Sequence, residues 1–290
     1  MAIAIASGAT PDRGLYTAIV AGFVISALGG SRFQIGGPAG AFIVLVAATL
    51  ERHGYDGLVL ATIIAGFFLM ALGFLRLGTY IKYIPHSVII GFTSGIAVII
   101  LASQERDLFG LTLSGKEPAA FVPKLEALWE AVRTVNPAAV SIAAGSIAII
   151  ALLKRYRPTW PGLLIAVAVA AGATALFGLP IETIGTRFGG VPNALPAPHI
   201  PEVSLKKVAL VLPDAVAFAM LGGIESLLSA VVADAMTGRP HRSNCELVAQ
   251  GVANIASGLF GGICATGGKD DHEVSESRSE RRSHDLTTPK

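Results

Sequence analysis

The sequence predicts an all-α polytopic membrane protein built as an inverted repeat. Three observations carry this expectation. Hydrophobic residues fill 52% of the 290 positions and charged residues 14%, against about 25% charged in a soluble domain; mean hydropathy is +0.64. Apolar runs of membrane length recur, a spanning helix needing about 20 residues. Two glycine-rich stretches interrupt those runs, Gln34-Ile35-Gly36-Gly37-Pro38-Ala39-Gly40-Ala41-Phe42 and Gly261-Gly262-Ile263-Cys264-Ala265-Thr266-Gly267. Lipid cannot hydrogen-bond to broken backbone, so such breaks must face protein or a water-filled cavity.

Residues 1–7 are apolar but too short to span and read as the last turns of a helix beginning before Met1. No basic stretch precedes them, so no cleavable signal peptide is expected. Residues 15–28 span, with edges at 11 and 29. Residues 42–50 cover half a membrane. Residues 58–75 and 81–102 span, the latter with Pro85 near its start. A polar, partly amphipathic loop fills 104–137. Residues 138–153 span, and so do 162–177, opened by the interfacial Trp160 and the helix-start Pro161. A Pro/Gly-rich loop runs to about 203. Spans at 207–236 and 247–260 close the apolar part. Residues 269–290 are half charged and cannot bury a core, which predicts disorder. Cys245 and Cys264 read as free thiols, and the net charge of +2 selects no partner.

Short loops set the orientation. One set holds Arg32, then Arg76 and Lys82, then Lys154, Arg155 and Arg157, then Arg239 and Arg242. The opposite set holds only Arg13 and Arg52. The first set is therefore assigned to the cytoplasm. The span at 15–28 then runs inward to the first break, and the span at 247–260 runs outward to the second. Two breaks approached from opposite sides are the mark of an inverted repeat with half-helices meeting at mid-membrane. Pro38 suits a helix start, since its missing N–H would be unpaired there. Gly37, Ala39, Gly40 and Ala41 leave N–H donors uncovered, so a helix opening at Pro38 aims donors and partial positive charge at an anion. Chance glycine clustering and a tight packing corner are the competing explanations.

Glu225 lies inside the span at 207–236, where a carboxylate costs a few kcal/mol unless neutralised or paired. Ser229, four residues on, shares its face, and Ser226 adjoins it. A carboxyl and a hydroxyl beside an anion site suggest coupling to a proton or cation; the alternative is a protonated Glu bonded to a neighbouring helix. Asp234 reads as solvated or capping. Gly91 and Gly95 read as a helix-packing pair, His86 as a helix-start residue, and His53, His199 and His241 as loop residues. Histidines and carboxylates lack metal spacing, and hydrolase motifs are absent from the sequence, which argues against an enzyme.

These stretches resemble the SulP/SLC26 family of anion transporters, the sulfate permease family. The resemblance rests on Gly14-Leu15-Tyr16, on Gly29-Gly30-Ser31-Arg32-Phe33 continuing through Phe42, on Tyr83-Ile84-Pro85, on Gly222-Gly223-Ile224-Glu225-Ser226-Leu227-Leu228-Ser229, on Asp234, Arg242-Ser243-Asn244 and Glu246-Leu247, and on Gly261-Gly262-Ile263. It implies a 7+7 inverted-repeat transporter fold, present here from a partial segment one to segment nine and the start of ten. Residues 1–75 would be core-domain segments one to four, 76–203 gate-domain segments five to seven, and 204–267 core segments eight, nine and the start of half-helix ten; 268–290 is the polar tail. It also implies an anion held by Gly37, Pro38, Ala39, Gly40, Ala41 and Phe42 from segment three and by Ala265, Thr266 and Gly267 from segment ten. Glu225 and Ser229 would bind the coupling ion, a proton where some relatives with Asp use sodium. The implied activity is secondary active transport of an inorganic anion, sulfate first with bicarbonate or a dicarboxylate as alternatives, by elevator movement of the core. The setting is the inner (plasma) membrane, multi-pass, with the lipid bilayer as partner, a homodimer as one assembly, and no cofactor, metal or nucleic acid.

The chain departs from that pattern in Cys264, where relatives commonly carry Pro, and in lacking segments eleven to fourteen and the cytoplasmic STAS domain. The switch at 269 reads as a frameshifted or misjoined frame, and the chain alone is not expected to transport. A non-transporting remnant or assembly partner, and a nucleobase-type transporter of the same architecture, stay open as alternatives.

Overall fold

The computed structural model describes residues 1–83, 86–113, 115, 118 and 120–269. The expected disordered tail beyond 269, and Ile84 and Pro85 of the third family stretch, lie outside the described residues. In chain order the elements are α1 (Ala2–Ala6), α2 (Pro11–Leu28), β1 (Gln34–Gly37), a 3₁₀ turn (Gly40–Phe42), α3 (Ile43–Phe74), a 3₁₀ segment (Leu77–Tyr83), α4 (His86–Phe109), α5 (Phe121–Glu130), a 3₁₀ turn (Ala131–Thr134), α6 (Pro137–Tyr156), α7 (Gly162–Phe177), α8 (Ile184–Phe188), α9 (Leu205–Thr237), α10 (Ser243–Leu259) and β2 (Thr266–Lys269). They fall into two compact units, one made of Met1–Ile99 with the described residues from Pro192 onward, the other of Ile100–Val191.

In the second unit, local chemistry sets the helix limits. Pro137 occupies the first turn of α6, and the Asn136 side chain accepts from Ala138 N–H at 3.0 Å, a standard N-cap. Lys154 and Arg155 sit in its last turn, where positive charge complements the helix dipole. Helix α7 stops at Gly178, which adopts φ 55°. Leu163, Leu164, Val167, Leu176 and Phe177 of α7 are all exposed, an exterior suited to lipid. The expected loop over 104–137 instead contains the short amphipathic helix α5, whose Leu128 packs with Leu111 and Ala131. Among the described residues, three helical stretches are long and apolar enough to cross a membrane, Gly40–Phe74, Pro137–Tyr156 and Leu205–Thr237.

The first unit holds both glycine-rich breaks. Its core is the packing of α3, α9 and α10, with Phe42, Val46, Leu58, Leu69, Phe218, Leu247 and Ile263 buried together. The Phe42 and Phe218 rings meet edge-on, centroids 6.0 Å apart, a geometry worth about 1 kcal/mol beyond area burial. Helices α3 and α10 approach through Gly66 and Gly251. A Cβ on Gly66 would lie 2.6 Å from the Gly251 carbonyl oxygen, and one on Gly251 would lie 2.5 Å from that of Gly66. Small residues permit this approach where apolar burial gives helices no preference for each other over lipid.

The half-length run at 42–50 and the span at 58–75 abut across one residue. Gly54 takes φ 66° and ψ −173° inside α3, so residues 43–53 form a half-helix about 16 Å long, half the hydrocarbon thickness. This half-helix does not open at Pro38. Pro38 lies outside the helix, Ala39 is extended (φ −112°, ψ 147°), and the turn starts at Gly40. Pro38 lacks the N–H to continue a strand ladder, so it ends β1 rather than starting the helix.

The second break is also not helical. Thr266–Lys269 is a strand, antiparallel to β1, with Gln34 opposite Lys269, Ile35 opposite Gly268, Gly36 opposite Gly267 and Gly37 opposite Thr266. The expected first turn of a half-helix at 265–267 is therefore extended chain. Two consecutive glycines weaken any helix there, and β1 offers a ladder instead.

Adjacent glycines of β1 should respond differently to a methyl group. A Cβ at Gly36 would strike Ile25 and lie 2.8 Å from the Ala21 carbonyl oxygen, whereas nothing lies within 4 Å of one at Gly37. Gly36→Ala is expected to destabilise the detergent-solubilised chain by about 1–3 kcal/mol. Gly37→Ala should stay within about 0.5 kcal/mol of wild type. Thermal unfolding of the two variants checks this, and equal losses would refute the packing around Gly36.

Candidate functional site

The β1–β2 crossing joins the two breaks, and each strand also grips α9. Gln34 Nε2 donates to the Ser226 carbonyl at 2.7 Å, and Thr266 Oγ1 donates to the Gly222 carbonyl at 3.2 Å. These carbonyls lie one helical turn apart and bracket Glu225. Both breaks are thus docked on the turn that carries the acid. Glu225 and Ser229 are half-buried. Among the described residues Glu225 Oε2 is buried with no hydrogen-bond partner.

The N–H groups of Gly261 and Gly262 turn back to the Gly258 and Ser257 carbonyls at 3.0 and 2.7 Å, and side chains meet much of the remaining backbone of the second break. Thr17 of α2 accepts from Ile263 N–H at 2.7 Å, and Ser257 donates to the Ile263 carbonyl at 2.8 Å. Asn254 works in both directions on Ala265, accepting from its N–H and donating to its carbonyl, each at 2.9 Å. Arg13 stacks over the Tyr55 ring, 4.1 Å from its centroid, and donates to the Gly261 carbonyl at 3.1 Å. Tyr55 OH donates to the same carbonyl.

A second carboxylate lies behind the crossing. Glu246 is fully buried. Its Oε2 accepts from the N–H groups of Gly30 at 2.8 Å and Ser31 at 3.3 Å, and its Oε1 from Ser226 Oγ at 3.1 Å and Gln250 Nε2 at 3.2 Å. One side chain thereby ties the approach to the first break to both α9 and α10. Gln34 Oε1 and Gln250 Oε1 stay unpaired among the described residues.

The residues expected to bind an anion are brought together but are not equally available. Gly37, Pro38, Ala39 and Gly40 are half-buried, and the space in front of Gly37 is open. Phe42 N–H bonds to the Ala39 carbonyl at 3.1 Å, and the Phe42 ring is sealed in the core against Phe218. No hydrogen-bond partner among the described residues reaches the N–H groups of Gly40 and Ala41, as expected for the first donors of a helix. Ala265 is fully buried, and Asn254 takes both its backbone groups. The Thr266 hydroxyl is held by Gly222, and Gly267 is buried in the ladder. The second break therefore frames the site, and the free donors come from the first.

Elsewhere, Asp234 is half-buried and caps the turn that follows α9. Its Oδ2 accepts from His241 N–H at 3.1 Å and lies 2.6 Å from His241 Nδ1, while Ser243 Oγ lies 2.9 Å from His241 Nε2. His241 and Asp234 thus close the α9–α10 turn. Toward the other end of α9, buried Asp214 accepts from Arg52 at 2.8 Å, and His53 Nε2 lies 3.1 Å from its second oxygen, so the end of the half-helix is held against α9. Sequence reasoning assigned no role to Thr17, Gln34, Glu246, Gln250, Asn254 or Ser257. Its missed signal was the four-residue spacing of Glu246, Gln250 and Asn254, a polar stripe on an otherwise small and apolar helix.

Residues 1–275 match the sulfate permease family. The putative sulfate transporter YvdB of Bacillus subtilis (strain 168) is 41% identical over 268 residues, covering 92% of this chain and 50% of its own length. The bicarbonate transporter BicA of Picosynechococcus sp. is 32% identical over 278 residues, covering 92% of this chain and 48% of its own. The chain thus spans about half the length of these curated relatives. Among solved structures, the transmembrane domain of a cyanobacterial bicarbonate transporter BicA superposes with a TM-score of 0.78 at 31% identity, over 96% of this chain and 72% of that one. Murine Slc26a9, an anion transporter in its inward-facing state, gives a TM-score of 0.80 at 20% identity, over 96% of this chain and 50% of that one, a likeness of fold. The architecture is the inverted-repeat membrane fold expected from the sequence, present in part, and the chain belongs to the sulfate permease family of integral membrane transporters.

Proposed function

We propose that this chain forms the anion-binding core of a secondary active transporter, with sulfate as the first substrate and bicarbonate or a dicarboxylate as alternatives. The observation that carries the proposal is the antiparallel crossing of the two breaks on the Glu225 turn of α9, with the first N–H groups of a half-helix beside it. Helix-start donors and the helix dipole favour an anion. They sense charge more than shape, which suits small oxyanions as a class. Residues 1–75 and 204–267 act as the core, 76–203 belong to the gate, and the core moves as a unit in an elevator step. Glu225, with Ser229 on the same face, takes up a proton with each anion. A proton neutralises a carboxyl whose buried oxygen has no partner among the described residues, and thereby offsets the cost of carrying it through the membrane.

The chain in detergent is expected to bind radiolabelled sulfate or bicarbonate saturably. Gly37→Leu, which fills the open space before the half-helix, should weaken that binding about tenfold, or 1.4 kcal/mol, without lowering the unfolding midpoint. A folded chain that binds neither anion would overturn the proposal, as would a Gly37→Leu variant of unchanged affinity.

Anion affinity of the wild-type chain is also expected to vary with pH across the range in which a proton is gained or lost at Glu225. Glu225→Gln fixes the neutral form and should give a flat profile. A pH dependence that survives in Glu225→Gln would exclude Glu225 as the coupling group.

A further inference from the structure

The face that the charge rule assigns to the cytoplasm gathers four arginines from three parts of the chain around the start of α10. Arg242 is the N-cap residue of α10, and its N–H donates to the Gly30 carbonyl at 3.0 Å. That bond places the 29–33 loop, and with it Arg32, alongside. A Cβ on Gly78 would lie 2.9 Å from Ser243 and Asn244, which brings the turn carrying Arg76 to the same helix end. Arg239 lies in the turn just before Arg242. All four side chains are exposed, and none of their guanidinium groups has a partner among the described residues. The nearby carboxylates are already engaged, Asp234 by His241 and Glu246 by Gly30, Ser31, Ser226 and Gln250. Arg76 also holds φ 61°, a backbone region that disfavours every side chain, so glycine would suit the turn better on backbone grounds alone.

Exposed apolar side chains adjoin this cationic cluster. Leu28 precedes the Gly29–Arg32 loop, and Phe74, Leu75 and Leu77 flank Arg76, with Phe74 and Leu75 68% and 69% exposed. Cationic and apolar groups side by side at a membrane boundary match an amphiphile rather than a free ion. We propose that Arg32, Arg76, Arg239 and Arg242 bind the headgroup phosphate of an anionic phospholipid of the cytoplasmic leaflet, whose acyl chains lie along Leu28, Phe74 and Leu75. This surface is separate from the site at the β1–β2 crossing and does not depend on what that site binds.

The test titrates the detergent-solubilised chain with dioctanoyl phosphatidylglycerol, dioctanoyl phosphatidylcholine or inorganic phosphate, reading bound lipid by native mass spectrometry and the unfolding midpoint. Phosphatidylglycerol should bind saturably and raise the midpoint, and the other two should not. Each arginine contributes about fivefold, so the Arg32→Gln/Arg76→Gln double variant should lose about 25-fold in affinity, and the Arg32→Lys/Arg76→Lys variant should keep most of it. Raising the salt should weaken binding throughout. Equal binding of phosphatidylcholine, an equal effect of inorganic phosphate, or unchanged phosphatidylglycerol affinity in the glutamine variant would each overturn the proposal. Sulfate binding by the same variants is expected to stay at the wild-type level, so the two proposals fail separately.

Discussion

The structure depends on the need to satisfy broken backbone inside an apolar protein. An unpaired buried N–H or carbonyl costs about 1–3 kcal/mol by mutation and more where only lipid is available. Residues 261–265 contain no regular element. Thr17, Ser257, Asn254, Arg13 and Tyr55 meet the backbone groups of Ile263 and Ala265 and the Gly261 carbonyl, and the Gly261 and Gly262 N–H groups bond to the end of α10. The next residues then pair with β1. The two breaks thus solve the problem jointly. Each would be an exposed strand edge alone, and together they form a ladder whose remaining side chains bond to α9.

That solution dictates the character of α10. A helix lending Glu246, Gln250, Asn254 and Ser257 to its neighbours cannot face lipid with that stripe, and all four residues are fully buried. The helix is therefore held between α2, α3 and α9, and the close approach of Gly66 and Gly251 gives it room. Polarity and small residues on α10 are two sides of one requirement. The stripe must point at the breaks, and the opposite flank must let α3 come near enough to enclose it.

Much of this was legible in the sequence. Apolar runs located α2, α6, α7 and α9 to within a few residues, because length and hydropathy are local properties. Opposite approach to the two breaks followed from arginine placement and correctly implied the inverted arrangement. What was not legible depended on contacts distant in sequence. Pro38 looked like a helix start because that is its commonest local use, but the ladder partner of Gly37 is Thr266, and pairing moved the helix start to Gly40. The second break looked like a helix start for the same reason. Glu246 appeared only as part of a family stretch, since its four donors come from residues 30, 31, 226 and 250. Glu225 was legible because its cost arises from the apolar helix around it, which the local sequence does show.

The two acids of this region are separated by their surroundings. Glu246 accepts four hydrogen bonds that fill both its oxygens, and every donor is tied into a backbone or a buried side chain. Removing its carboxylate would take away all four of these bonds, from the approach to the first break and from α9 and α10 together. Glu225, less than two turns of chain from Ser229 and beside Ser226, has an oxygen buried without a partner among the described residues. A polar atom left in that condition persists only where folding offers no cheaper arrangement or where a transient partner completes it. Ser226 sits between the two, its hydroxyl given to Glu246 and its carbonyl to Gln34, so the donor nearest Glu225 in sequence is already committed. Here the fully bonded Glu246 holds the breaks in register, and the incompletely bonded Glu225 is the acid to which the proposed coupling role falls.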